Sequence, residues 1–246
     1  MLKTLILSAA AAGVAAGLFT AAVQHVTTTP IIIQAERYEG GAPSHDHGGA
    51  AAEHDHPEAA AVPAAGEPAA VAAAAEEEWA PADGVERTLY TSLATAVIGV
   101  GFGLALLGAM VLAGVGINAR TGLAFGTAAF IAVALAPAMG LPPEIPGSGA
   151  AELGARQAWW FFAVAATTIG LGGLLLTQNV ALQIGGVVLI ALPHIVGAPH
   201  PQEYVSTAPA ELAGHFAATS LAVTAIFWGV LGYASGAFYE RFSRSG

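Results

Sequence analysis

The sequence has no cysteine and little charge. Of its 246 residues, 7 are Lys or Arg, and charged residues of both signs make up 10%, against about 25% in an ordinary soluble domain. The missing thiols exclude a disulfide framework, a thiolate metal centre and a cysteine nucleophile. So few basic residues, with a formal net charge of −10, argue against a nucleic-acid partner. Methionine is confined to Met1, Met110 and Met139, so soft sulfur ligands for Cu⁺ are scarce. The G-x-x-x-x-G-K-[ST] pattern is absent, and ATP would have to be used by another protein. The zincin H-E-x-x-H pattern is absent too, and Glu211-x-x-x-His215 does not reproduce its spacing. The chain is therefore read as a non-enzyme.

What is present is apolar. Hydrophobic residues make up 55% of the chain. Of the 17 acidic residues, 12 fall between Glu36 and Glu86, so the remainder is almost free of charge. Runs of about 20 apolar residues are membrane spans by default. The expected fold is all-α, a polytopic transmembrane helical bundle of six spans. They run from Leu2 to Gln24, Leu89 to Leu112, Leu123 to Met139, the Trp159-Trp160-Phe161-Phe162 cluster to Leu176, Val180 to Val196, and Ala210 to Phe238. The third and fifth have little length to spare. Thr177-Gln178-Asn179 is short enough to make the fourth and fifth an antiparallel hairpin. Gly13/Gly17, Gly122/Gly126 and Gly232/Gly236 are small-xxx-small pairs, which let helices approach closely in lipid.

The domain organisation follows. Residues 1–25 form a first transmembrane helix, 26–86 a His- and acid-rich loop that is disordered over about 40–75, and 87–246 a five-helix bundle. Lys3 with an Ala-rich apolar run also resembles a secretory signal peptide, and cleavage would leave five spans. The apolar stretch exceeds a usual signal-peptide core, which favours an uncleaved span. With six spans Lys3, Arg120, Arg241 and Arg244 share one side, and Arg37, Arg87 and Arg156 the other. The positive-inside rule then makes both termini cytoplasmic and the acidic loop extracytoplasmic.

On that topology all eight histidines lie on the outer side or in the outer third of a span. His45-Asp46-His47 and Glu53-His54-Asp55-His56 fall in the loop. In an extended chain, residues two apart point the same way, so each His-x-His pair presents two imidazoles to one ion. Imidazole and carboxylate ligands suit Co²⁺, Ni²⁺, Zn²⁺ or Cu²⁺. A solvated tail whose histidines only titrate would have the same composition. His25 ends the first span, His194 follows Pro193 in the fifth, His200 sits in the next loop, and His215 shares a helix face with Glu211. Ionisable residues at membrane depth usually mark a pathway. His194, Glu211 and His215 are the candidates for a joint site. The bland alternatives are interfacial histidines facing water and a Glu211 that only complements a helix start. Asp83 and Glu86 at the start of the second span, and Glu144 in the proline-stiffened outer loop, are further candidate contacts.

Four segments together carry a resemblance: Glu78-Trp79-Ala80-Pro81-Ala82-Asp83-Gly84-Val85-Glu86-Arg87, Gly140-Leu141-Pro142-Pro143-Glu144-Ile145-Pro146-Gly147, Arg156-Gln157 before Trp159-Trp160, and Leu192-Pro193-His194-Ile195-Val196-Gly197-Ala198-Pro199-His200-Pro201. With an opening span and a His/acid tract, they resemble the CbtA family of predicted bacterial cobalt transporter subunits over nearly the whole chain. The resemblance implies an inner-membrane protein that supplies cobalt for cobalamin synthesis. It also implies a small single-span, histidine-containing partner, CbtB. Families of this kind are described with about five spans, one fewer than counted here. Cobalt enters through the resemblance; by ligand type alone Ni²⁺ and Zn²⁺ are as suitable. The leading expectation is a permease subunit for a divalent cation. The alternative is a membrane-anchored metal buffer or sensor without transport, which accounts for the loop but not for six spans.

Overall fold

The computed structural model describes residues 1–39, 81, 84–203 and 206–244. His45, His47, His54, His56 and Asp83 therefore lie outside the described residues, as does the segment expected to be disordered. The described chain is helical: α1 (Leu2–Val26), α2 (Thr28–Glu39), α3 (Val85–Leu112), α4 (Ala119–Ala138), α5 (Leu153–Leu175), α6 (Val180–Val196) and α7 (Ala210–Arg244). The chain is an all-α polytopic membrane protein.

α1 holds the centre. One stripe, Ala9-Gly13-Gly17, packs antiparallel on Gly103, Gly99 and Ala96 of α3. A Cβ on Gly17 would lie 2.5 Å from the Ala96 Cα, so the two backbones are in contact. The neighbouring stripe, Ala12 and Ala16, packs on Phe227, Trp228 and Leu231 of α7, with Leu106 of α3 completing the cluster. α4 lies along α7 by the same device: Gly122 and Gly126 meet Gly232 and the Trp228 carbonyl, and Gly236 meets Asn118. The glycine pairs expected to be packing positions are packing positions.

α5 and α6 form the expected hairpin. Gly170 faces Gly186, and Gly173 faces Leu182. Asn179 caps α6 by accepting from the Ala181 and Leu182 N–H groups. α6 packs on α5 alone, and Leu182, Ile184, Val187, Val188 and Ile195 are exposed. Apolar residues facing out suit contact with lipid. The hairpin joins the other helices through α4. There Ile131–Leu135 widen into a π turn just before Pro137, whose ring would crowd the carbonyl four residues back in a regular helix.

Two expectations need correction. Among the described residues five helices, not six, are long and apolar enough to cross a membrane by length and composition; α6 has 17 residues, about 25 Å at 1.5 Å per residue. It falls short of a full span, though its bounds match the expected ones. The second correction concerns residues 26–86, read as loop. Residues 28–39 form α2, because Ile31 and Ala35, one turn apart, bury against Ile145, Ala208 and Leu212. Hydropathy missed it, since a short helix with one buried face carries only a weak signal.

Candidate metal site at the histidine end of the bundle

The ends of all the helices that bear described candidate residues meet in one ordered cap. The α4–α5 and α6–α7 loops are joined there. Ser148 and Ser206 form an isolated antiparallel bridge, and the Thr207 N–H donates to the Gly147 carbonyl at 3.3 Å. Gly147 takes φ +78, a conformation open to glycine without strain. Ile145, 3% exposed, plugs the gap between α2 and the start of α7. The Glu152 side chain caps α5, accepting from Gly154 N–H at 2.8 Å and Ala155 N–H at 2.7 Å. Those two backbone donors hold its carboxyl below the usual carboxylate range.

Ion pairs between described residues fasten the cap. Arg87 at the start of α3 donates to both carboxylate oxygens of Glu36 on α2, at 2.6 and 3.3 Å. Arg156 in the first turn of α5 donates to Glu144 at 2.8 Å. Both pairs are about one-third exposed. Neither was expected from the sequence. The signal was there in the form of two of the three basic residues that run against the charge asymmetry.

The structure places the expected site residues as follows. His25 is exposed near the end of α1 and lines a shallow crevice with Thr29, Arg87, Thr88 and Thr91. Glu86 is exposed in the first turn of α3. Glu144 is engaged by Arg156. His194 is half-buried at the end of α6, its ring against Trp159 at 6.1 Å between centroids. His200 is exposed in the following loop, where it has an interaction partner. Glu211 and His215 are exposed, one turn apart at the start of α7.

These residues share an end of the bundle but not a coordination sphere. Among the described residues, no three His, Asp or Glu side chains are grouped so that they could hold a metal ion. The reason for His194, Glu211 and His215 is topological. α6 contacts α5 and not α7. α7 starts instead on Ile31, Ala35 and Ile145, which take its Leu212 and Phe216 face. That leaves Glu211 and His215 on the flank facing away.

Trp159 marks the start of a span in the sequence but was not expected as a site residue. It is 7% exposed, and its indole N–H donates to the Pro193 carbonyl at 3.3 Å. Its ring fills the space that a Cβ on Gly140 would need. The only sequence hint is that Gly140, Trp159 and Pro193 each belong to a segment of unusual composition.

The family model described as probable cobalt transporter subunit (CbtA) matches residues 2–240. The chain belongs to the CbtA family. No curated protein and no solved structure matches. In this CbtA member, three of the segments that carry the resemblance converge in the cap: Gly140 and Glu144 from one, Arg156 and Trp159 from the second, Pro193 and His194 from the third.

Proposed function

We propose that this chain is the membrane permease subunit through which Co²⁺ is taken up for cobalamin synthesis. It sits in the bacterial inner membrane with both termini cytoplasmic and the cap outside. The observation that carries the reading is the CbtA family match over residues 2–240. The location of His25, His194, His200 and His215 at one end of the bundle supports it. The tract with His45, His47, His54 and His56 raises the local concentration of cation, with Asp83 and Glu86 at its foot. His194 and the pair Glu211/His215 then offer imidazole and carboxylate groups at separate points rather than one closed site. Such groups suit Co²⁺, Ni²⁺ and Zn²⁺ alike. Selection of cobalt therefore needs geometry that a partner helps to complete, and a small single-span, histidine-containing CbtB-like protein fits that role. The chain carries no catalytic step.

Radiolabelled cobalt uptake tests this in cells carrying the chain with and without its partner, with nickel and zinc as competitors. Cobalt should accumulate with both proteins present. Failure to accumulate in every combination sinks the reading. A second reading, a membrane-anchored metal buffer or sensor, accounts for the His/acid tract but not for the number of spans. Deleting Gly40 to Ala75 separates the two. Uptake that survives with weaker apparent affinity supports the permease. Metal retention at the membrane that depends wholly on the tract, without uptake, supports the buffer.

A further inference from the structure

We propose that Trp159 is the positioning residue of this site: it fixes the His194 imidazole at the end of α6. The inference rests on the reading above, that His194 contacts the cation.

The argument starts at Pro193. A proline has no N–H, so α6 is weakened at its last turn. Its carbonyl accepts from the Gly197 N–H at 3.0 Å, and Gly197, at φ +86, turns the chain out of the helix. The Gly197 N–H alone would hold the peptide preceding His194 at the point where the chain leaves the helix. Trp159 supplies the second donor to that same carbonyl, at 3.3 Å. The same indole then meets the His194 ring edge-on, at 6.1 Å and 70°. One side chain thus restrains His194 twice, through the backbone just before it and through its ring.

The indole is itself held. Gly140 at the end of α4 leaves room for it: a Cβ there would lie 2.5 Å from Cη2 of Trp159 and 2.8 Å from the Ala198 Cβ. Pro193 is among the fully buried side chains. The ends of α4, α5 and α6 therefore lock on one ring. By contrast, His25 and His215 are exposed on helix surfaces. Hydrogen-bond partners of a metal-binding histidine ring are worth about 10–100-fold in metal affinity; Trp159 acts through the preceding carbonyl and the ring edge, so the lower end of that range applies, and an oriented imidazole discriminates among cations where a freely rotating one does not.

The test uses the whole chain with its partner in cells, and Co²⁺ as the probe. Trp159→Phe keeps an aromatic ring and loses the N–H donor. It should raise the half-saturating cobalt concentration about ten-fold with the maximal rate nearly unchanged, and it should make nickel and zinc better competitors. His194→Gln should weaken cobalt uptake at least as much, and the double variant should be no worse than His194→Gln alone. If Trp159→Phe leaves half-saturation and competition unchanged while His194→Gln impairs uptake, the positioning role is wrong and the permease reading stands. If His194→Gln leaves uptake intact, His194 is not a cation contact and the inference fails with it. A measurement on unsubstituted protein guards against misfolding of Trp159→Phe. The full chain carrying 5-fluorotryptophan is placed in lipid nanodiscs with its unlabelled partner, and the Trp159 resonance is assigned by elimination with Trp79→Phe, Trp160→Phe and Trp228→Phe. Paramagnetic Co²⁺ should broaden Trp159 first and leave Trp228 sharp. Broadening that is absent or equal at both positions overturns the inference.

Discussion

Single residues at the cap show how much local chemistry decides. Glu152 sits at the N-cap of α5 with two backbone N–H donors on its carboxylate, and its carboxyl is held low by them. A group with a depressed folded pKa stabilises the fold above its unfolded pKa, and that stability is lost as pH falls through the folded value. The wild-type melting temperature should therefore drop as pH falls from about 6 to about 3, and by less in Glu152→Gln, which cannot titrate. Equal slopes would show that the cap contributes nothing. The Glu36–Arg87 pair makes a different claim. It ties α2 to α3, the helices that precede and follow the histidine tract in the sequence. The pair is about one-third exposed, so its direct stabilisation is about 1 kcal/mol at most. Glu36→Gln and Arg87→Gln should each lower the melting temperature slightly at low salt, and the double variant by no more than the worse single one. Additive losses would mean that the pair is not coupled. What the sequence could not show at this scale was partnership. Glu144 and Arg156 are 12 residues apart and Trp159 and His194 are 35 apart; only the fold makes them neighbours.

At the scale of elements the sequence was far more legible, because helices in lipid are announced by length and composition. The expected bounds of α6 match those observed, and the expected end of α3 at Leu112 does too. α2 and the π turn were not visible. Both are fixed by tertiary packing, the first through Ile31 and Ala35 and the second through Pro137 and the approach of α5. Glycine gives the sharpest test here, since two glycines of similar sequence context differ in what surrounds them. Gly17→Leu would drive a side chain into the backbone of Thr95 and Ala96, while Gly101 has nothing within 4 Å of a Cβ. Overpacking of this kind costs about 1–3 kcal/mol, more when a backbone must move. Gly17→Leu should reduce the folded fraction recovered in detergent several-fold, as read by size exclusion and thermal melting. Gly101→Leu should leave both near wild type. Equal losses would mean that α1 does not sit on α3 as described.

For the whole molecule the open question is how a helix of 17 residues fits a membrane topology. The cap answers it. The α4–α5 loop and the α6–α7 loop are hydrogen-bonded to each other through Ser148, Ser206, Gly147 and Thr207, so they lie on one side. α5 leaves that side and α6 must return to it, which its contacts along α5 from Gly173 to Trp159 allow. A crossing by α6 would thus be made on a helix a few residues short of a full span. Shorter spans are accommodated by thinning of the bilayer or by association with another helix. The absence of cysteine makes the arrangement directly testable. Gln178→Cys, in the α5–α6 turn, should react with a membrane-impermeant thiol reagent only after the cells are opened. Ser206→Cys should react in intact spheroplasts. The paired substitution Ser148→Cys with Ser206→Cys should form a disulfide in oxidising conditions, seen as a mobility shift reversed by reductant. If Gln178→Cys and Ser206→Cys are labelled from the same side, α6 does not traverse the membrane.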